Sequence, residues 1–380
     1  MDKVVLVKTP DYGEQTLYES VCRQFELLDF DVAQMAGKRV LLKPNLLMKR
    51  RPEEATTTHP GVVRAVIQRL NELGVKDIMV ADSPGGLYNI GALTGIYQTS
   101  GMMGAVEGVN AKLNYDVTNG TRRVKNYRRV SSFPIITPVL QADFIISITK
   151  LKTHGMTMLS GGVKNLFGCV PGLMKPEFHC RFPKKEDFCE MLVDLCECVH
   201  PDITIVDAVV SMEGNGPSGG TPRQTNLLFG ACNPYALDCV LARFIGFEEE
   251  EIETIRASKA RGLCGGFDAV ALAGDVQEFV PVKDFQHPQS RATDFSSNVP
   301  RLLRKPVAFL VGTVAKPRPV IRKGNCVGCG KCAESCPQHI IQIRQGKAHI
   351  QYDECIRCFC CHEMCPVKAI DIRRFRLFDL

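Results

Sequence analysis

The chain has 380 residues, 45% hydrophobic and 23% charged, with a formal net charge of +6. That length buries a sizeable core in roughly two or three domains. The balance is only mildly basic and no long Lys/Arg block or aromatic-interleaved patch occurs, so no nucleic-acid partner is expected; "MKRR" and "RRVKNYRR" read as solvated faces.

No window approaches ~18 uninterrupted apolar residues, so no membrane span is expected. The start "MDKVVLVKTP" reads as a strand and lacks the organisation of a signal peptide. The expected location is cytoplasmic. In that reducing compartment, 18 cysteines are expected as metal ligands and free thiols rather than disulfides.

In chain order, "KVVLVK" predicts a strand and "EQTLYESVCRQFELL" a helix. "KRVLLK" predicts a second strand, and "HPGVVRAVIQRLNELG" a helix with apolar residues at helical spacing and a glycine at its end. "VKDIMVAD", "ADFIISIT", "DITIVD" and "TNLLFG" follow as strands, and "NPYALDCVLARFIG" as a helix. Short apolar runs alternating with amphipathic helices predict an α/β fold, a mostly parallel sheet with flanking helices, over residues 1–280. Residues 281–320, proline-bearing and weakly periodic, predict a linker or arm.

Polar residues gather where these strands are expected to end. They are Lys43 and Asn45; Asp82 and Ser83; Lys150, Lys152 and His154; and Asp207 and Glu213. Open α/β sheets bind ligands outside the carboxyl ends of their strands, so the four groups are expected to converge on one crevice. "SGGVKNLFG" adds Lys164 and Asn165 after two glycines, Gly161 and Gly162, that let the backbone approach closely. It is not a phosphate-binding G-x4-G-K-[ST] loop. "GNGPSG", from Gly214, matches G-x-G-x-x-G, but Pro217 interrupts it and no helix follows, so it reads as a loop over the crevice.

The C-terminal region carries the most specific pattern. "CVGCGKCAESCP" begins at Cys326 and "CIRCFCCHEMCP" at Cys355, two copies of C-x2-C-x2-C-x3-C-P 29 residues apart. Over about residues 321–372 this resembles bacterial two-cluster ferredoxins, in which the fourth cysteine of each run ligates the other cluster. The pattern predicts two [4Fe-4S] clusters in a small α+β ferredoxin domain, residues 321–380. One takes Cys326, Cys329, Cys332 and Cys365, the other Cys355, Cys358, Cys361 and Cys336. Cys360 reads as a non-ligand, with a swap between it and Cys361 left open. Two complete copies with both C-P junctions favour clusters over zinc. Most of the remaining cysteines, including Cys189 and Cys196 on one helical face, read as small buried hydrophobes.

"LLKPNLL", "THPGVVRAVIQRLNELG", "ADSPGG", "KLKTHGMTMLSGGVKNLFG" and "MEGNGPSGG" together resemble the domain of unknown function 362 family, often joined to ferredoxin repeats. The resemblance covers about residues 38–245. It implies signature roles for Lys152, His154, Lys164, Asn165, Glu213 and Gly214, with a further histidine matching His179, and assigns no reaction. The combined expectation is an iron–sulfur redox protein of anaerobic metabolism. It would pass electrons to a small anionic ligand held by Lys43, Asn45, Asp82, Ser83, Lys164, Asn165 and Gly214, with His154, Lys152 and Glu213 as catalytic candidates. His154 is the acid/base candidate because its proton exchange lies near neutral pH. A redox partner protein is expected. The alternatives are a non-catalytic electron-transfer or docking protein, for which the tail "RRFRLFDL" would suit docking, and a cluster storage or delivery protein.

Overall fold

A computed structural model describes residues 1–291 and 317–373. Most of the expected arm, 292–316, and the tail beyond Arg373 lie outside the described residues. The main sheet contains β1 (Asp2–Lys8), β2 (Arg39–Pro44), β3 (Asp77–Val80) and β4 (Lys112–Leu113). A separate antiparallel hairpin, β5 (Asn119–Arg123) and β6 (Ser132–Ile136), intervenes. The sheet resumes with β7 (Phe144–His154), β8 (Met158–Ser160), β9 (Ile203–Glu213), β10 (Thr221–Ala231) and β11 (Val270–Gly274). Its order is β11-β1-β10-β9-β7-β2-β3-β4, with β8 pairing β7. The half from β9 through β7 and β2 to β3 and β4 is parallel, while β10 runs antiparallel to both its neighbours.

Strand residues alternate between two apolar layers. Val4 and Leu6 of β1 face one, Val5 and Val7 the other; Ile145 of β7 faces the first, Ile146 and Ile148 the second. The first layer is closed by helices Lys185–Val199 and Pro234–Phe244, the second by Glu14–Leu27 and Pro60–Glu72. A sheet covered on both faces explains why β2 and β7 read as nearly unbroken apolar runs. Helix Pro60–Glu72 starts with proline at its first position, and the side chain of His59 accepts a hydrogen bond from the Gly61 amide. Cys169, Cys189, Cys196 and Cys198 are buried; Cys180 is half-buried.

The expected strand "ADFIISIT" extends five residues further, so Lys150 and Lys152 lie within β7 and His154 is its last residue. The extension is held on one side by β8, where Lys152 pairs with Ser160, and on the other by β9. Register against β9 shifts between Lys150, opposite Asp207, and Lys152, opposite Met212.

The C-terminal module starts at β12 (Arg318–Ile321), antiparallel to β15 (Ile370–Arg373). Between them, β13 (Ile341–Arg344) and β14 (Lys347–Ile350) form a hairpin. It turns through Gln345 and Gly346, both at positive φ, as a tight twisted hairpin requires. The two cysteine loops share one backbone path. Gly328 and Gly330 sit at φ 66° and 80°, and Arg357 and Phe359, 29 residues later, at 57° and 62°. Among the described residues no helix is long and apolar enough to cross a membrane.

Candidate functional site

The carboxyl ends of β2, β3 and β7 meet the C-terminal module across a cavity of about 570 Å³. Three of the four polar groups expected at strand ends converge here. Lys43, fully buried at the end of β2, donates to Asp82 Oδ1 at 2.6 Å and Asn165 Oδ1 at 3.2 Å. Asp82 Oδ2 accepts from the Leu46 amide at 2.8 Å. Asn45 donates to Asn165 Oδ1 at 3.0 Å and accepts from Lys152 Nζ at 2.8 Å; Lys152 also donates to the Thr56 carbonyl at 2.7 Å. Asn165 ties the network to β7 through Ser147 Oγ at 2.9 Å. Lys43 stands behind this wall, while Asn45, Asp82, Ser83, Lys152, His154, Lys164 and Asn165 line the cavity.

Lys164 and Asn165 reach this position through a one-turn helix, Gly162–Asn165. Asp238 caps the turn, accepting from the Gly162 amide at 2.6 Å and the Val163 amide at 3.2 Å. A Cβ on Gly161 would meet Asp238 Oδ1 at 2.0 Å, so only glycine allows this approach.

His154 Nδ1 accepts from the amides of Met156 at 3.0 Å and Thr157 at 3.3 Å. That tautomer leaves the ring proton on Nε2, which faces Glu363 Oε1 at 3.1 Å. The two atoms are out of line for a hydrogen bond, so each retains unused capacity. Burial lowers the His154 pKa despite the carboxylate, so the ring is neutral near pH 7. Burial raises Glu363, but the facing N–H of His154 and the Lys164 ammonium outweigh it and lower the carboxyl.

The lysines respond to the same burial. Lys152 is lowered to about 7, by burial first and then by the neighbouring Lys164. Lys164 is lowered too, again chiefly by burial. Its ammonium stands over the Phe167 ring at 4.6 Å and has no hydrogen-bond or ion-pair partner among the described residues. Lys175 donates to Ser83 O at 2.6 Å, Ser83 Oγ at 3.2 Å and Pro84 O at 3.1 Å, and burial lowers it to about 7. His179, stacked on Phe188 at 4.3 Å, also lines the cavity with Nδ1 unpartnered among the described residues.

The fourth polar group stands apart. Lys150 pairs with Asp207 at 2.9 Å in a buried network with Tyr12. Glu213 accepts from the Gln286 amide at 3.1 Å, and the Gly214 amide donates to the Gln286 carbonyl at 2.7 Å. Neither Glu213 nor Gly214 lines the cavity, which corrects their expected place in a shared crevice. The register shift in β7 and the antiparallel insertion of β10 turn the end of β9 towards residues 284–287. "GNGPSG" reaches the cavity only through Pro217 and otherwise holds the C-terminal module. Ser218 Oγ donates to the Glu363 carbonyl at 2.6 Å, and His362 Nε2 lies 2.9 Å from the Asn215 carbonyl oxygen. Gly216 fits because a Cβ there would strike Thr153 O at 2.0 Å.

Sequence reasoning missed the far wall. It is built by matched positions of the two cysteine repeats: Lys331 and Cys360, Glu334 and Glu363, Ser335 and Met364, each pair 29 residues apart. Both repeats therefore contribute to this wall. The repeat itself was the available signal. Lys175 had none.

Behind this wall, Cys326, Cys329, Cys332 and Cys365 line one small cavity, and Cys336, Cys355, Cys358 and Cys361 another. Cys360 borders neither; it faces the large cavity, as does Cys329. Among the described residues no three His, Cys, Asp or Glu side chains close on a single-ion site. Four thiols spread around a space suit a cubane, whose irons hold their sulfurs further apart than one tetrahedral ion does. Amides of Ala348 and Ala369 donate to Cys326 Sγ at 3.4 Å and Cys365 Sγ at 3.1 Å, as ligating thiolates require.

Residues 40–243 match the domain of unknown function DUF362, and residues 318–366 a 4Fe-4S dicluster domain. Thylakoid-associated protein sll1697 of Synechocystis sp. is 36% identical over 228 residues, 60% of this chain and 69% of that protein. The lactate racemase apoprotein from Thermoanaerobacterium thermosaccharolyticum overlaps at 13% identity with a TM-score of 0.39, over 60% of this chain and 54% of that one. The chain thus spans about half of that protein, and so loose an overlap carries no argument about fold or reaction. The family match covers more than half of the chain and takes in the strand ends and the 161–168 turn that form the cavity's inner wall, so the chain belongs to the DUF362 family and is an iron–sulfur protein with a C-terminal 4Fe-4S dicluster domain.

Proposed function

We propose that the protein passes electrons through two [4Fe-4S] clusters to an anionic small molecule held between the α/β domain and the dicluster module. The observation that carries this reading is the shared wall: Cys329 lines the same cavity as Lys152, His154 and Lys164. When bound, the clusters supply electrons singly. Lys164 and Lys152 hold the anion. His154 offers the ligand a hydrogen bond from its Nε2–H, since Nδ1 is engaged by two amides. Lys152, with its pKa brought to about 7, is the proton donor near neutrality. A redox partner protein loads the clusters.

Anaerobically purified protein, wild type and Lys164→Met, tests the reading. Each is reduced and then exposed to the small-molecule extract of its own cells. Reoxidation of the clusters, followed by visible absorbance, is expected in the wild type and reduced at least tenfold in the variant, the size of one lost charged contact. Equal reoxidation of both would leave a non-catalytic carrier as the better reading.

A further inference from the structure

The cavity is polarised in a way that narrows its ligand. At its inner end lie Lys152, Lys164 and Lys175, and Lys164 acts electrostatically on both of the others. The acids nearby are mostly spent: Asp82 is paired with Lys43, and Glu334 with Lys331. Lys152 and Lys175 donate only to neutral oxygens, of Asn45, Thr56, Ser83 and Pro84. At this inner end three lysines face the single remaining carboxylate of Glu363, which leaves an excess of two positive charges when all three are protonated; Lys49, also lining the cavity, is exposed. Bound clusters are themselves anionic and would attract cations. Lys152 and Lys175 nonetheless direct their hydrogen bonds to the strand-end segments of the α/β domain, at Asn45, Thr56, Ser83 and Pro84, which holds them on the cavity's inner wall.

Much of the remaining surface is apolar. Leu47, Ile96, Phe167 and Met364 line the walls, and Leu87 and Leu173, each about half exposed, stand at the mouth. A volume near 570 Å³ is that of a site for a drug-sized molecule, far beyond a bare inorganic anion.

We infer that the cavity binds an amphipathic dianion: an apolar body along the walls, with two negative charges close together, as in a phosphate monoester or a vicinal dicarboxylate, against Lys152, Lys164 and Lys175. The inference rests on the reading that this cavity holds an anion, and it specifies the anion's charge and shape. Lys152 is buried and Lys164 and Lys175 are part-buried, so a singly charged headgroup leaves one poorly solvated ammonium without an ionic partner.

Calorimetry on the cluster-loaded protein under anaerobic conditions tests it with four probes: naphthyl phosphate, vicinal naphthalene dicarboxylate, naphthoate and inorganic phosphate. At least one dianionic naphthyl probe is expected to bind about tenfold or more tightly than both naphthoate and inorganic phosphate. Which of the two does so identifies the headgroup. Lys164→Met, and separately Lys164→Gln should the first fold poorly, is expected to abolish the preference over naphthoate. Lys112→Met, at an exposed position on β4, is expected to leave it unchanged. Naphthoate binding as tightly as both dianions, or a preference that survives loss of Lys164, overturns the inference. Binding needs no electron transfer, so dianion preference without cluster reoxidation would sink only the redox reading. Reoxidation without dianion preference would sink only this one.

Discussion

Single residues show how burial sets the chemistry of the cavity. Lys43 is fully buried and Lys164 partly so, but Lys43 meets Asp82 at 2.6 Å while Lys164 meets only an aromatic face. Breaking a buried pair by removing one partner costs about 3–5 kcal/mol, which marks Lys43 as the support of the wall and Lys164 as a group waiting for a ligand. A pH dependence follows. Lys152 and Lys175 lose their protons near pH 7 in the free protein, and a bound dianion restores them. Binding therefore takes up protons above pH 7. Affinity for naphthalene dicarboxylate is expected to be full below about 7 and to fall up to tenfold per pH unit per lysine above it. Naphthyl phosphate gains its second charge near pH 6, so its affinity should peak between about 6 and 7. Calorimetric titrations from about pH 5 to about 9, two units either side of 7, check both profiles; affinity that rises above pH 7 would refute the lysine assignment.

At the scale of elements, the turn Gly162–Asn165 is too short to position two side chains by itself. Helices of this length are unstable without outside contacts. Asp238, on helix Pro234–Phe244, supplies them by accepting from two amides of the turn. Asp238→Ala would leave both buried amides unpaired, at about 1–3 kcal/mol each. We expect a fall of about 2–4 kcal/mol in unfolding free energy by denaturant titration, together with weaker binding of the dianionic probes and unchanged cluster spectra. Loss of stability without loss of binding would show that the turn is held by other contacts. The strand extension belongs to this scale too. β7 carries Lys152 and His154 because β8 and β9 pair with its last residues, not because those residues favour a strand.

For the whole molecule, the arrangement of the two parts is what makes a site. Arg50 donates to the carbonyls of Cys365 and Pro366 at 3.0 Å each, and Ser218 to that of Glu363, so the α/β domain grips the segment running from Glu363 to Pro366. Two four-cysteine sets predict close to eight iron and eight sulfide per chain in anaerobically prepared protein. Cys336→Ala should remove the cluster shared with Cys355, Cys358 and Cys361 and spare the one at Cys326, Cys329, Cys332 and Cys365. Iron content would halve, and electron paramagnetic resonance of the reduced protein would lose the coupling between two clusters. Loss of the first set's cluster instead would reverse the cross-ligation.

The cysteine spacing, the strand–helix alternation and the gathering of Lys43, Asn45, Asp82, Lys152 and His154 at strand ends were legible in the sequence because each depends on neighbours within one element or one motif. The iron–sulfur character needed nothing more. What the sequence left undetermined depends on pairings between distant segments. β10 enters antiparallel between β1 and β9, and this topology carries Glu213 away from the cavity towards Gln286. The hairpin of β5 and β6 hid behind its arginines, since a strand with one face in water need not be apolar. Lys175, Glu363 and Cys360 became part of the site only when the dicluster module docked over the strand ends. No local pattern records that event: its contacts join residues more than a hundred positions apart, and burial, which turns ordinary lysines into an anion site, is a property of the assembled molecule.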